Sequence, residues 1–292
     1  MADKSSRNVT YLLGAGASAK ALPTVNKMME GVQRLANAFS NTKRQDKVVR
    51  EIVKEFMWLS KLHEMYYSID TAAKVLFHRD KSNYDRLKNV ASLYFLLEQT
   101  EIEDLKSERL FFDTIDNRYF RILAYYLGED SIPRLPSNLN FITWNYDAQL
   151  ELAFHHFNNH VYNNESAVEL NCVPRAGHYR LLGDDYERAN VVHLNGVAGI
   201  SLNNEGDQNS LRSLFDVIEA NTLDELFDEL NGLDILGRYS NKHIFKFAWE
   251  RGLLFQKAFY RAKKVMEETN DRLSSNINSI FFKKPEKAVG IG

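Results

Sequence analysis

The sequence predicts an α/β fold: a parallel sheet carrying a large helical insertion. Apolar, β-branched runs at residues 8–13, 139–144 and 191–194 read as short buried strands, each ending at a glycine or an asparagine. From about residue 43 to residue 130 the spacing is almost wholly helical, with no Pro or Gly between Glu51 and Tyr126. A glycine-rich turn, Gly14-Ala15-Gly16-Ala17-Ser18, separates the first strand from the first helix. A chain of 292 residues fits one large domain of this kind.

Each element has its own signal. After the first strand, Val25, Met28, Met29, Val32, Leu35 and Phe39 recur at helical spacing. Val48, Ile52, Val53, Phe56 and Leu59 share one face of a second helix. Ser68-Ile69-Asp70 reads as the capped start of a third, which carries Ala72, Ala73, Leu76 and Phe77. Further helical patterns cover residues 87–99 and 111–127, and Pro133 and Pro136 close the block. Leu139-Asn140-Phe141-Ile142-Thr143-Trp144 is the second strand, followed by a helix through Leu150 and Phe154. Residues 158–190 are polar and turn-rich, with short strands at most, and Val191-Val192-His193-Leu194 is the third strand. A helical C-terminal part is expected over about 211–270, first acidic and amphipathic, then aromatic-rich around Phe245, Phe247, Trp249, Phe255 and Phe259. Such aromatics suit a core or a subunit interface.

Composition excludes several classes. At 44% hydrophobic and 26% charged residues the chain is neither disordered nor fibrous. A net charge of −2 gives no support to nucleic-acid binding as the main activity. No apolar run approaches the roughly 18 residues that span a bilayer, and the polar start is no secretory signal. A cytoplasmic location is therefore expected. The single cysteine, Cys172, excludes an internal disulfide and any Cys₄ or Cys₂His₂ zinc site. His155, His156 and His160 lack a third metal ligand nearby and read as solvated surface, as does the basic run from Lys43 to Arg50.

Three motifs could carry chemistry. Gly14-Ala15-Gly16-Ala17-Ser18 follows a strand and precedes a helix, the arrangement that cradles a phosphate at a helix N-terminus. The alternative is a tight strand-helix turn that holds no ligand. Asn145-Tyr146-Asp147 stands at the C-terminal end of a strand, where ligands of parallel sheets sit. Asn145 can donate and accept at once, which suits an amide-bearing ligand such as nicotinamide. Asp147 can meet ribose hydroxyls, or simply cap the next helix. His193-Leu194-Asn195-Gly196 ends the third strand, and His193 can serve as a general base or as a structural histidine. Strand alternation puts His193 and Asn195 on one side.

In this order the motifs resemble those of the sirtuin family, and most closely its bacterial antiphage-defence group. Gly14-Ala15-Gly16-Ala17-Ser18, Asn145-Tyr146-Asp147 and His193-Leu194-Asn195-Gly196 match its glycine loop, its Asn-x-Asp segment and its His-Gly element, and Ser68 to Phe77 is similar too. The resemblance implies a Rossmann-like sheet with NAD as substrate across its C-terminal edge. Gly14, Ala15, Gly16, Ser18 and Gly196 would bind the nucleotide, Asn145 would position nicotinamide, and Asp147 would orient ribose. It also implies a homo-oligomer and a protein partner such as a HerA-type ring ATPase. Ala288-Val289-Gly290-Ile291-Gly292 looks like the start of the family's last NAD-contacting strand, so the protein is expected to continue beyond Gly292. The family's four-Cys zinc ribbon is absent, which favours NAD hydrolysis over deacylation. The family's base precedes the glycine, and here that position is Asn195, which cannot act as a base. Either His193 takes over or the chain is an inactive sensor of NAD or ADP-ribose.

Overall fold

The computed structural model of the chain describes residues 9–24, 27–44, 47–106, 113–128, 133–158, 170–173, 177–178, 188–203, 210–213, 220–232, 260 and 263–264. Its frame is a four-stranded, all-parallel sheet built from β1 (Val9–Leu13), β2 (Leu139–Thr143), β3 (Asn171–Val173) and β5 (Asn190–His193). The spatial order is β1-β2-β5-β3. Leu13 lies level with Thr143, and Thr143 with His193, so the first three strands end on one line. β2 and β5 are buried throughout, as strands flanked on both sides must be. β1 is an edge strand among the described residues, and its Leu12 is half exposed.

Across the sheet runs a row of buried amides. Asn171 Nδ2 donates to Asn190 Oδ1 at 2.8 Å, and Asn190 Nδ2 donates to Asn140 Oδ1 at 2.7 Å. The three residues are direct register partners in β3, β5 and β2.

The helical insertion forms its own core. It contains α1 (Met28–Asn41), α2 (Lys47–Tyr66), α3 (Ile69–Arg79), α4 (Lys81–Gln99) and the short α5 (Glu103–Lys106). Phe39, Phe56 and Tyr94 meet at its centre, where Phe39 also packs edge-on against Phe227 at 5.1 Å between ring centroids. The Ser68 hydroxyl accepts from Thr71 N and caps α3, while Asp80 accepts from Asn83 N and caps α4. Tyr67, which joins α2 to α3, is a left-handed non-glycine residue (φ 62°) and is well exposed. The last helix of the block, α6 (Asn117–Tyr126), packs instead on the sheet beside α7 (Gln149–Asn158), in a second core with Tyr11, Phe141 and Val191.

Two expectations are corrected. The helical C-terminal part does not begin at residue 211. Ser210–Ser213 is strand β7, which pairs antiparallel with β6 (Ile200–Asn203) and β4 (Gly177–His178) in a separate three-stranded sheet. Ladder pairing outweighs the helical spacing there, and the helix α8 spans only Leu223–Gly232. The aromatic-rich stretch 241–268 lies outside the described residues except at 260, 263 and 264. Residues 288–292 also lie outside them. The second correction concerns the glycine turn. It leads into a single 3-10 turn, Ala15–Ser18, and α1 starts only at Met28, so no long helix points its N-terminus at the glycines. Among the described residues, no helix is long and apolar enough to cross a membrane.

Candidate functional site

The level strand ends create the site. Three connections leave the same sheet edge side by side: the glycine turn after β1, Trp144 to Ala148 after β2, and Leu194 to Gly199 after β5. They are tied to one another. Asn145 Nδ2 donates to Gly14 O at 2.9 Å and faces Ser18 Oγ at 3.5 Å. Asn195 Nδ2 donates to Trp144 O at 2.8 Å, Leu194 N to Thr143 O, and Ala198 N to Tyr146 O. Gly196 is left-handed (φ 72°), which explains a glycine after Asn195 on conformational grounds alone.

A second layer holds the turns from behind. Gln149, fully buried at the start of α7, accepts from Asp116 N and donates to Thr114 O, both at 2.7 Å. Asp116 caps α6, accepts from Lys20 N at 2.9 Å, and pairs with Arg118. Arg118 Nη2 reaches on to Gly16 O at 2.8 Å. Burial would raise the Asp116 carboxyl, but the hydrogen bonds from Arg118 and Lys20 bring it below the usual carboxylate range. Gln99, at the end of α4, accepts from Ala148 N and links the helical core to the site.

These turns and the helical block enclose a pocket of about 520 Å³, within the usual range of small-molecule sites (roughly 300–1,000 Å³). Its sheet-edge wall is Ala15, Ser18, Trp144, Asn145, Asp147 and Asn195. The opposite wall comes from the helical core: Met28 on α1, Ile69 and Asp70 at the start of α3, and Phe95 on α4. The structure therefore brings Ala15, Ser18, Asn145, Asp147 and Asn195 to one pocket, while Gly14, Gly16 and Gly196 do not line it. Gly14 lies against the Trp144 indole, where an added Cβ would stand 3.4 Å from the ring. Around Gly16 the corresponding space is open.

His193 is not in the pocket wall. It is 2% exposed, and its Nε2 pairs with Glu151 on α7. β5 ends at His193 and the chain turns immediately, so strand alternation does not carry over to Asn195 and the two side chains face different neighbours. Burial opposes the imidazolium, but the charge and hydrogen bond of Glu151, with Asp147 nearby, hold the His193 pKa above its ordinary value. Asp147 is buried, and burial lifts its carboxyl to about 6 against the hydrogen bonds from Ser18 and Gln149 N. Its bond to Gln149 N is also the helix-capping role read as one alternative from the sequence.

The sequence reading missed Asp70, Asp116, Arg118, Gln149 and Gln99 as parts of the site, and of these Asp70 alone had a local signal, the cap at Ser68. Among the described residues no cluster of His, Cys, Asp and Glu could hold a metal. His156 pairs with Glu101 at 3.4 Å, and His160 lies outside the described residues. No protein-family model matches this chain, and neither does any curated protein.

Proposed function

We propose that the pocket binds NAD and that the chain hydrolyses it to nicotinamide and ADP-ribose, as the sirtuin-like motif order suggests. One observation carries this reading: Asn145 and Asp147 at the end of β2 face the glycine turn of β1 across one pocket at the C-terminal edge of a parallel sheet. Asn145, with its amide nitrogen on Gly14 O, keeps its amide oxygen for a ligand donor such as a carboxamide. Asp147 sets a carboxyl beside it for ribose, and the half-exposed Trp144 offers an aromatic face at the rim. Uncontrolled hydrolysis would empty a cell of NAD, so self-association and control by a protein partner such as a ring ATPase belong to the same proposal. So does a role in bacterial antiphage defence.

The test is nicotinamide release from NAD by the purified chain, alone and with a candidate ATPase, beside Asn145→Ala. Release by the wild type that Asn145→Ala abolishes is the expected result. No release under any condition overturns the enzyme. A second reading, a non-catalytic NAD or ADP-ribose sensor, is favoured by Asn195 in the wall and His193 behind it. It predicts ligand-induced stabilisation without release.

A further inference from the structure

Resting on the NAD-cleaving reading, we infer that Asp70 is the catalytic base, the group that takes the proton of the attacking water. The pocket is lined by two carboxyl groups, Asp70 and Asp147, together with the Tyr146 phenol and the amides of Asn145 and Asn195. Amides accept no proton near neutrality. Asp147 is 7% exposed, accepts from Gln149 N and the Ser18 hydroxyl, and in this reading holds the ribose rather than the attacking water. Asp70 is only half-buried, and among the described residues its side chain has no hydrogen-bond or ion-pair partner. A carboxyl in a pocket wall with nothing to hold is available to water.

Its position is fixed although its carboxyl is uncommitted. Ile69, 3% exposed, anchors the start of α3 in the helical core. The Ser68 cap and the left-handed Tyr67 set the angle at which the helix enters. Asp70 thus approaches from the helical core, opposite the sheet-edge turns that carry Asn145 and Asp147. A base that faces the nucleotide-holding wall is placed to activate water for attack on a substrate held there. Partial burial raises the Asp70 pKa and makes it a better proton acceptor near neutrality than a solvated carboxylate.

The step balances. The water oxygen bonds to ribose C1′ as the C1′–nitrogen bond breaks. That bond's electron pair goes to the ring nitrogen, and nicotinamide leaves neutral. The water proton passes to Asp70 and then to solvent.

The experiment compares nicotinamide release and calorimetric NAD binding for wild type, Asp70→Asn and Asp70→Glu across pH. Asp70→Asn is expected to bind NAD within threefold of wild type and to release nicotinamide about 10²–10⁴-fold more slowly. It should also lose an acidic limb of the kcat profile, which Asp70→Glu partly restores. Asp147 remains in every variant, so an acidic limb that survives in Asp70→Asn belongs to Asp147 and overturns the assignment. Undiminished release by Asp70→Asn overturns the assignment and leaves the NAD reading standing. Loss of binding in both Asp70 variants overturns it too, because Asp70 then holds substrate. A wild type that binds no NAD and releases no nicotinamide sinks the NAD reading, and Asp70 with it.

Discussion

Asn145 joins two turns 131 residues apart, its amide nitrogen tying the turn after β2 to the glycine turn. Replacing it by Ala removes that link, while Gly14 O keeps its bond from Ala17 N, so the cost is that of one hydrogen bond, about 0.5–1.5 kcal/mol. The expected outcome is a lower urea midpoint together with loss of nicotinamide release, read by fluorescence and by a release assay. Asp147 and His193 give the fold a pH dependence of one sign. Asp147 titrates near 6 in the folded chain and near 3.8 when unfolded, so its contribution is full below about 4 and is lost as pH rises through 6. The folded His193 also has a raised pKa, so its contribution is full below about 6.5 and fades as pH climbs through the folded value. Urea midpoints should therefore fall from mildly acidic to neutral and alkaline pH. His193→Gln should flatten the upper part of that slope and leave the part below pH 6.

Elements show what the sequence makes legible. β1, β2 and β5 stand out because each carries a short apolar, β-branched or aromatic stretch ahead of a glycine or asparagine turn, and α2 to α4 because their apolar stripes are long. β3 has three residues, too few for any period to show, and it earns its place in the sheet through Asn171 rather than through hydrophobicity. The same limit hides the second layer of the site. Gln149 meets Asp116 across 33 residues and Arg118 meets Gly16 across 102, so no local pattern announces either pair. Arg118→Ala tests that layer: Arg118 is partly exposed but the Asp116 carboxylate it pairs with is buried, so the change should lower the urea midpoint, loosen the glycine turn and weaken NAD binding severalfold by calorimetry. At the α2–α3 junction, Tyr67→Gly should stabilise the chain by up to about 1 kcal/mol in urea unfolding, because a left-handed tyrosine is strained and this one is exposed.

On the scale of the whole molecule, the pocket belongs to neither core alone. One wall is the sheet edge and the other is the helical block, and Gln99 on Ala148 N is a direct bond between them. A ligand that touches both walls should stabilise the whole fold. At NAD one hundred times its Kd the gain is about 2.7 kcal/mol, or a rise of about 4 °C in Tm for a chain of this size. Differential scanning fluorimetry with NAD measures it directly, and an unchanged Tm at saturating NAD would contradict binding. The motif order was visible in the sequence because each motif sits beside its own strand. The helical wall was not, because which helix faces the sheet edge depends on packing rather than on local spacing.

The row of Asn171, Asn190 and Asn140 works as a vernier for the sheet. A hydrophobic strand can slide by two residues and still bury the same face. Here such a slide would strand three amides in a dry interior at about 1–3 kcal/mol each. Only one alignment satisfies them, and it is the one that brings Thr143 and His193 level. Amides near the far end of the strands thus meter where the turns after β2 and β5 emerge, several residues away from any atom a substrate would touch.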